Sequence, residues 1–239
     1  MRGKVLDAIR LLFAIGLWVI VVSILWVALL GVVDPPVTWH MAGRSETHGP
    51  IERTNVRLSA ISRSLPLALI ASEDQQFMEH HGFAWEAMRK AMERNKKGRR
   101  VKGASTISQQ TVKNVFLWHG RSYFRKGLEA WFTVLIEVFW TKLRILEVYL
   151  NTAEMGKGIF GAEAAAQHCF HRPAKKLTAS QSALITATLP NPVKYACARP
   201  GPYIKGRQQW TLGQMRNIGD VLDTKVRKER SKEALKKRT

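Results

Sequence analysis

A chain of 239 residues has room for a membrane anchor and one globular domain of ordinary size, which excludes a second large catalytic domain. Its 38 Lys+Arg against 18 Asp+Glu give a formal net charge of +20. That favours an anionic partner, whether nucleic acid, phosphorylated lipid or an acidic membrane surface, without choosing among them.

The N-terminal segment 1–10 carries Arg2, Lys4 and Arg10, and Leu11 to Val33 is then uncharged and strongly apolar. At about 1.5 Å per helical residue the run crosses a bilayer core of about 30 Å, so 11–33 reads as a transmembrane helix. The preceding cations put residues 1–10 in the cytoplasm and the domain outside. A cleaved signal peptide would have a shorter core, about 7 to 15 residues, and a small-x-small cleavage site, neither of which is present.

Residues 34–58, opening on Asp34-Pro35-Pro36, read as a juxtamembrane linker, and 59–224 as the domain, with its core expected from Pro66 onward and independent of the anchor. Ser64-Leu65-Pro66 starts a helix that runs to Glu73, with Gly82 as a stop. Ala84 to Lys97 reads as the next helix, with Trp85, Met88 and Met92 on one apolar stripe. A basic loop over 94–102 follows, containing Arg94, Lys96, Lys97, Arg99, Arg100 and Lys102.

Thr106 with Gln109 fits a capping box, so a helix opens there with N–H groups that could face an anion. Tyr123 to Asn151 shows helical spacing through Leu128, Phe132, Leu135, Ile136, Phe139, Leu143, Leu146 and Leu150, as two helices or one bent one. Ala162 to Cys169 and Thr178 to Leu189 give further helices, and 225–239 is a basic tail. No set of alternating strands is visible, so the fold class is mainly α. Cys169 and Cys197 are too few for a disulfide framework; both are expected reduced and packed, with one bridge permitted in an oxidising exterior.

Two acid-bearing segments, Glu73-Asp74 and Arg125-Lys126-Gly127-Leu128-Glu129, bracket the hydroxyl-rich stretch Gly103 to Asn114. Such a bracket suits sugar and phosphate chemistry. Read one residue at a time, plainer roles compete. Arg125 and Glu129 could be a surface ion pair, His80 a hydrogen-bonding residue rather than a metal ligand, and Phe116-Leu117-Trp118 either core or a membrane-interface patch. Ser105, Thr106, Gln109, Gln110 and Asn114 could cap or pack as readily as bind sugar hydroxyls.

Taken in order, these segments resemble the peptidoglycan glycosyltransferases of glycosyltransferase family 51, in particular the monofunctional membrane-anchored members. The resemblance rests on Glu73-Asp74 with Phe77, His80 and Gly82, then Gly103 to Asn114, then Arg125-Lys126 with Glu129. Lys142, Ile145-Leu146 and Tyr149-Leu150-Asn151 come fourth, and Gly161 through Ala164-Ala165 to Phe170 fifth. Ser108 stands where Thr is usual and Cys169 where Tyr is usual. The resemblance implies a single lysozyme-like helical domain behind one transmembrane helix, facing the periplasm from the inner membrane.

It also implies a reaction in which a lipid-linked glycan is transferred onto the 4-hydroxyl of lipid II, with inversion to a β-1,4 bond and release of polyprenyl pyrophosphate. Glu73 matches the general base, and Glu129 the second acid, which assists at the leaving group or positions the base. Lys113, Arg121, Arg125 and Lys126 match cations suited to the pyrophosphate. A divalent cation such as Mg²⁺ has room beside the pyrophosphate or Asp74, but no ligand cluster specifies one. The implied partners are lipid II, the growing glycan, the membrane and other cell-wall synthases or division proteins.

Two other classes compete. A lytic enzyme acting on the same glycan would not need so many cations around its acids or a lipid-facing helix. A membrane-tethered binder of nucleic acid or anionic lipid leaves the paired acids without a role, and an outside-facing domain makes nucleic acid a poor partner.

Overall fold

The computed structural model describes residues 2–96, 105–118, 120 and 122–223. The basic loop expected over 94–102 lies outside these from residue 97 onward, as do Gly103, Ala104, Arg121 and the tail 225–239. In chain order the helices are α1 (Arg2–Leu30), α2 (Trp39–His48), α3 (Ser64–Glu73), α4 (Trp85–Lys96), α5 (Ile107–Phe116), α6 (Tyr123–Phe139), α7 (Lys142–Thr152), α8 (Ala162–Phe170), α9 (Ala179–Thr188) and α10 (Pro202–Ile218). Three short strands, β1 (Glu52–Arg53), β2 (Glu154–Gly156) and β3 (Ile159–Phe160), complete them.

Local chemistry sets most boundaries. Thr106 caps α5 by accepting from Gln109 N, while the Gln109 side chain accepts from Thr106 N, which completes the box. Thr178 and Gln181 repeat it on α9. Between α6 and α7, Trp140 and Thr141 are extended and Thr141 accepts from Arg144 N at 3.1 Å, so the long apolar run is two helices. Pro202 at the first turn starts α10 without wasting an N–H.

The mainly α reading holds, with one small sheet that the sequence does not show. β1 pairs parallel with β3 through Glu52↔Ile159 and Arg53↔Phe160, and β2 pairs antiparallel with β3, giving the order β1-β3-β2. Strands of two or three residues are too short for alternation to register in a sequence. Gly161 follows β3 at φ 85°, and a Cβ there would meet Asn151 Cα and two carbonyl oxygens at 3.2 Å, so only glycine allows the chain to pass.

The segment 34–58 is not a linker. It carries α2 and β1, and Asn151 clamps it: Val56 N donates to Asn151 Oδ1 at 3.0 Å, and Asn151 Nδ2 donates to Val56 O at 2.9 Å. Arg53 donates to the carbonyls of Pro35, Pro36 and Asn151.

The core is not independent of the anchor either. Val27 and Leu30 of α1 are buried in the same apolar cluster as Leu69, Phe116, Ile136 and Tyr149. Trp140 Nε1 donates to Val27 O at 2.7 Å, Trp131 Nε1 donates to Ser23 Oγ at 3.1 Å, and Trp26 packs edge-on against Phe116. Arg144 donates to Leu30 O and Val33 O, satisfying carbonyls that the helix end leaves open. The part of α1 from Leu11 through Val22 is apolar and exposed, as a bilayer-spanning segment is.

Cys169 and Cys197 form a disulfide that ties the end of α8 to the loop before α10, so the expectation of reduced cysteines is also corrected. α10 packs against α9 and α3, which brings it over the end of the helix that carries Glu73.

Candidate active site

Glu73 is the last residue of α3 and Asp74 its C-cap, so two adjacent carboxylates diverge into different surroundings. Asp74 is buried and accepts from His80 Nε2 at 2.9 Å and from Ile107 N, at the start of α5, at 3.1 Å. Because His80 Nδ1 accepts from Gly82 N, Nε2 carries the proton it gives Asp74. Gly82 sits at φ 86°, where a Cβ would come within 2.6 Å of Thr133 Cγ2. His80 is thus a hydrogen-bonding residue that holds Asp74, and Asp74 pins α3 to α5. Asp74 is engaged by both His80 and Ile107 N. Among the described residues no group of three or more His, Cys, Asp or Glu could hold a metal ion.

Glu73 is only partly buried, and its Oε2 accepts from Gln110 Nε2 at 3.1 Å. The other end of that carboxamide, Oε1, accepts from Tyr149 OH at 3.0 Å. Burial, and then the nearby Glu73 charge, hold the Tyr149 pKa well above the ordinary tyrosine value, so the phenol stays a donor. A donor facing Oε1 leaves Nε2 for Glu73, and the amide has one productive orientation. Desolvation raises the Glu73 pKa. Gln110, Arg207 and Lys113 pull it down, while Asp74 adds to the rise.

Glu73, Gln110, Ser72 and Ser105 open into a cleft of about 740 Å³ whose other wall is Pro190 with Tyr203, Gly206, Arg207 and Trp210. The last four come from α10 and were missed in the sequence. Tyr203, Arg207 and Trp210 follow one another at spacings of four and three, one face of a helix, and that basic-aromatic face was the available signal. Arg207 lies 5.8 Å from the Trp210 ring centroid, and its Nε is buried with no hydrogen-bond partner among the described residues.

Glu129 forms the second acidic centre. It is 4% exposed, bridged by Arg125 Nη1 at 3.3 Å and by the Lys126 ammonium. The Arg125–Glu129 pair is therefore not the surface pair that i,i+4 spacing alone would suggest, and a buried pair is far less screened. Arg125 Nε is also buried without a hydrogen-bond partner among the described residues.

Lys113 links the two centres. It is accessible to solvent yet densely surrounded, and desolvation lowers its pKa. Glu129 and Glu73 both oppose that shift, Arg125 and Lys126 reinforce it. Three cations thus gather beside Glu129, and one of them also senses Glu73.

The remaining candidates divide. Ser105 and Gln110 line the cleft. Thr106 and Gln109 are buried and hydrogen bond each other, and Thr106 Oγ1 also donates to Gly82 O at 2.6 Å, so their polar atoms build the start of α5 rather than face the cleft. Asn114 is buried, and Arg121 lies outside the described residues. Of the Phe116-Leu117-Trp118 patch, Phe116 and Leu117 are core and only Trp118 is exposed. The exposed apolar surface is instead on α6, at Tyr123, Phe124, Trp131, Val134 and Val138, beside the anchor.

Comparison with known proteins converges on one group. Residues 42–216 match the sequence model of the family described as Transglycosylase, beginning inside the segment expected to be a linker. A biosynthetic peptidoglycan transglycosylase of Xanthomonas axonopodis pv. citri is 50% identical over 218 residues, covering 88% of this chain and 89% of the relative. Proteins of the same description from Pseudomonas aeruginosa and Shewanella oneidensis are each 49% identical. The first covers 88% of this chain and 93% of its own, the second 85% and 89%.

Proposed function

We propose, from the premise that the chain belongs to the transglycosylase family and is a peptidoglycan glycosyltransferase anchored in the inner membrane by α1, that Glu73 is the base of glycan-chain elongation. Its mainly helical, lysozyme-like domain faces the periplasm in this reading, the side that the cations of residues 1–10 and the disulfide both favour.

In the proposed step the 4-hydroxyl of lipid II gives its proton to Glu73 as its oxygen attacks the anomeric carbon of the lipid-linked glycan. The new C–O bond forms on the face opposite the leaving group, which inverts the centre to a β-1,4 linkage. The old bond's electron pair leaves on the pyrophosphate oxygen. A raised pKa makes Glu73 a better proton acceptor than an ordinary carboxylate, and the Tyr149-Gln110 pair fixes where its lone pair points.

The leaving pyrophosphate remains anionic and needs fixed positive charge. Lys113, Arg125 and Lys126 supply it, with Arg121 a further candidate from the resemblance, and Glu129 is the carboxylate that holds Arg125 and Lys126 in place. We read Glu129 as a positioning group rather than a proton donor, because it is already bridged by two cations. Ser105 and Gln110 are placed to meet sugar hydroxyls. A polyprenyl chain would stay in the bilayer along the exposed apolar face of α6, next to the anchor. Other cell-wall synthases or division proteins are the partners to seek for cross-linking.

The single observation that carries this reading is the pairing of a desolvated Glu73 with a separate cation cluster around Glu129. Incubating the solubilised full chain with labelled lipid II and digesting the product with a muramidase tests it. A muramidase-sensitive polymer is expected, and unreacted lipid II would refute it.

A further inference from the structure

Where the anchor leaves the membrane there is a second pocket, of about 240 Å³, that shares no lining residue with the Glu73 cleft. Trp26 and Leu30 of α1, Val37 and Trp39 with Ala42 of α2, and Val115 of α5 form its walls. Val115 lies on the same short helix as Gln110 and Lys113, so the pocket touches the back of the element that supports the reaction site.

The polar atoms around it are largely spent. Pro35 O and Pro36 O, also at its edge, accept from Arg53 at 2.8 and 2.9 Å. Thr38 Oγ1 accepts from Met41 N, and Leu30 O accepts from Arg144 Nη2 at 3.0 Å. The indole N–H groups of Trp26 and Trp39 only donate. A water needs about 2 to 4 polar partners to reside in a cavity, and with these carbonyls engaged by Arg53 and Arg144 the remaining lining is mainly apolar.

The surroundings are apolar as well. Leu29, Val32, Val33, Val37 and Trp39 are all exposed around the end of α1, a density of apolar surface that suits the rim of a bilayer and not bulk water. Left empty, the walls would forgo dispersion contacts on one side.

We propose that this pocket takes one acyl chain of a bilayer lipid, which completes the packing of the anchor against α2 and α5. The substrate's polyprenyl tail shares the same chemistry, but no described residue lines both this pocket and the Glu73 cleft, and bilayer lipid is the bulk hydrocarbon at that depth. The inference depends on α1 being a membrane anchor and is independent of the reaction assigned to Glu73.

The test uses the full chain in phosphatidylcholine nanodiscs doped with phosphatidylcholine carrying a diazirine midway along one acyl chain. After photolysis, mass spectrometry should find label on residues 35–42 as well as on the lipid-facing stretch 11–22, which serves as the internal reference. Ala42, exposed at the rim, becomes the plug: Ala42→Trp should cut labelling of 35–42 about ten-fold, the loss expected from denying burial to about two methylenes, and leave 11–22 unchanged. Should that variant melt early, Ala42→Leu gives the same reading with a smaller plug. Absence of label at 35–42 in the unaltered protein, or label that survives both plugs, overturns the proposal. So does loss of that label alone on adding unlabelled polyprenyl phosphate, which would assign the pocket to the substrate tail.

Discussion

Gln110 Nε2 donates to Glu73 Oε2 at 3.1 Å, and it can do so only because the other end of the same carboxamide is held by Tyr149. The candidate base is thus aimed by a side chain whose own orientation is set from the core. A hydrogen bond to a charged group is worth about 1.5 to 3 kcal/mol, so Gln110→Ala should lower kcat roughly 10- to 100-fold. Tyr149→Phe leaves Gln110 in place but free to turn, and kcat should fall by about ten-fold with KM nearly constant. Steady-state polymerisation of labelled lipid II measures both. A rise in KM at constant kcat in either variant would make the pair a binding device instead.

Acid pH should switch the reaction off through Glu73. Desolvation raises its pKa, so the acid limb of kcat/KM should lie above the ordinary glutamate range, with activity present above the folded pKa and lost below it. Arg207 pulls that pKa down, hence Arg207→Ala should move the limb to higher pH. The same raised pKa means the group binds its proton more tightly in the folded state. Its contribution to stability is therefore full below the unfolded pKa and is lost as pH rises through the folded one. A pH-rate profile of the two proteins checks the shift and its sign.

Charge beside Glu129 should matter locally. Lys113→Ala and Arg125→Ala should each reduce donor use about 10- to 100-fold, consistent with loss of one charge-assisted contact to phosphate. Lys157→Ala, on the turn between β2 and β3, should change it little. Equal losses at all three positions would mean that the net charge acts only as a general attractant for anions.

Removing the anchor should weaken the domain itself. A chain beginning at Asp34 loses the buried side chains of Val27 and Leu30, worth about 1.5 to 3 kcal/mol each, and strips Trp140 Nε1 of its acceptor. Thermal unfolding in detergent should show it clearly less stable than the full chain. Equal melting temperatures would show that α1 docks without contributing to the core.

The parts of this architecture that depend on neighbouring residues are legible in the sequence. The Thr106-Gln109 box is written in adjacent side chains, and the bilayer-length run announces itself by composition, whereas the Tyr123 to Asn151 spacing left two helices or one bent one open. Contacts between distant segments are not. α10 reaches the Glu73 cleft through tertiary packing, as in the Gln75–Gln214 hydrogen bond across 139 positions, so the basic-aromatic face of Tyr203, Arg207 and Trp210 shows in the sequence but its place at that site does not. Asn151 orders Val56 from 95 positions away, which is why a Pro-containing stretch read as a linker folds against the core. Phe116 resembled part of an interface patch because the anchor, whose Trp26 packs against it, lies far away in sequence. Two cysteines state no pairing by their spacing alone.

The central claim is that Glu73 takes the acceptor's proton, and Glu73→Gln tests it with least disturbance, since the amide keeps the shape and removes the basicity. Polymer formation and lipid II binding should be measured on the same preparation. Polymerisation should fall at least about 1000-fold, within the range general-base removal produces, while binding and the melting temperature stay close to those of the unaltered chain. Near-normal turnover in Glu73→Gln would contradict the account.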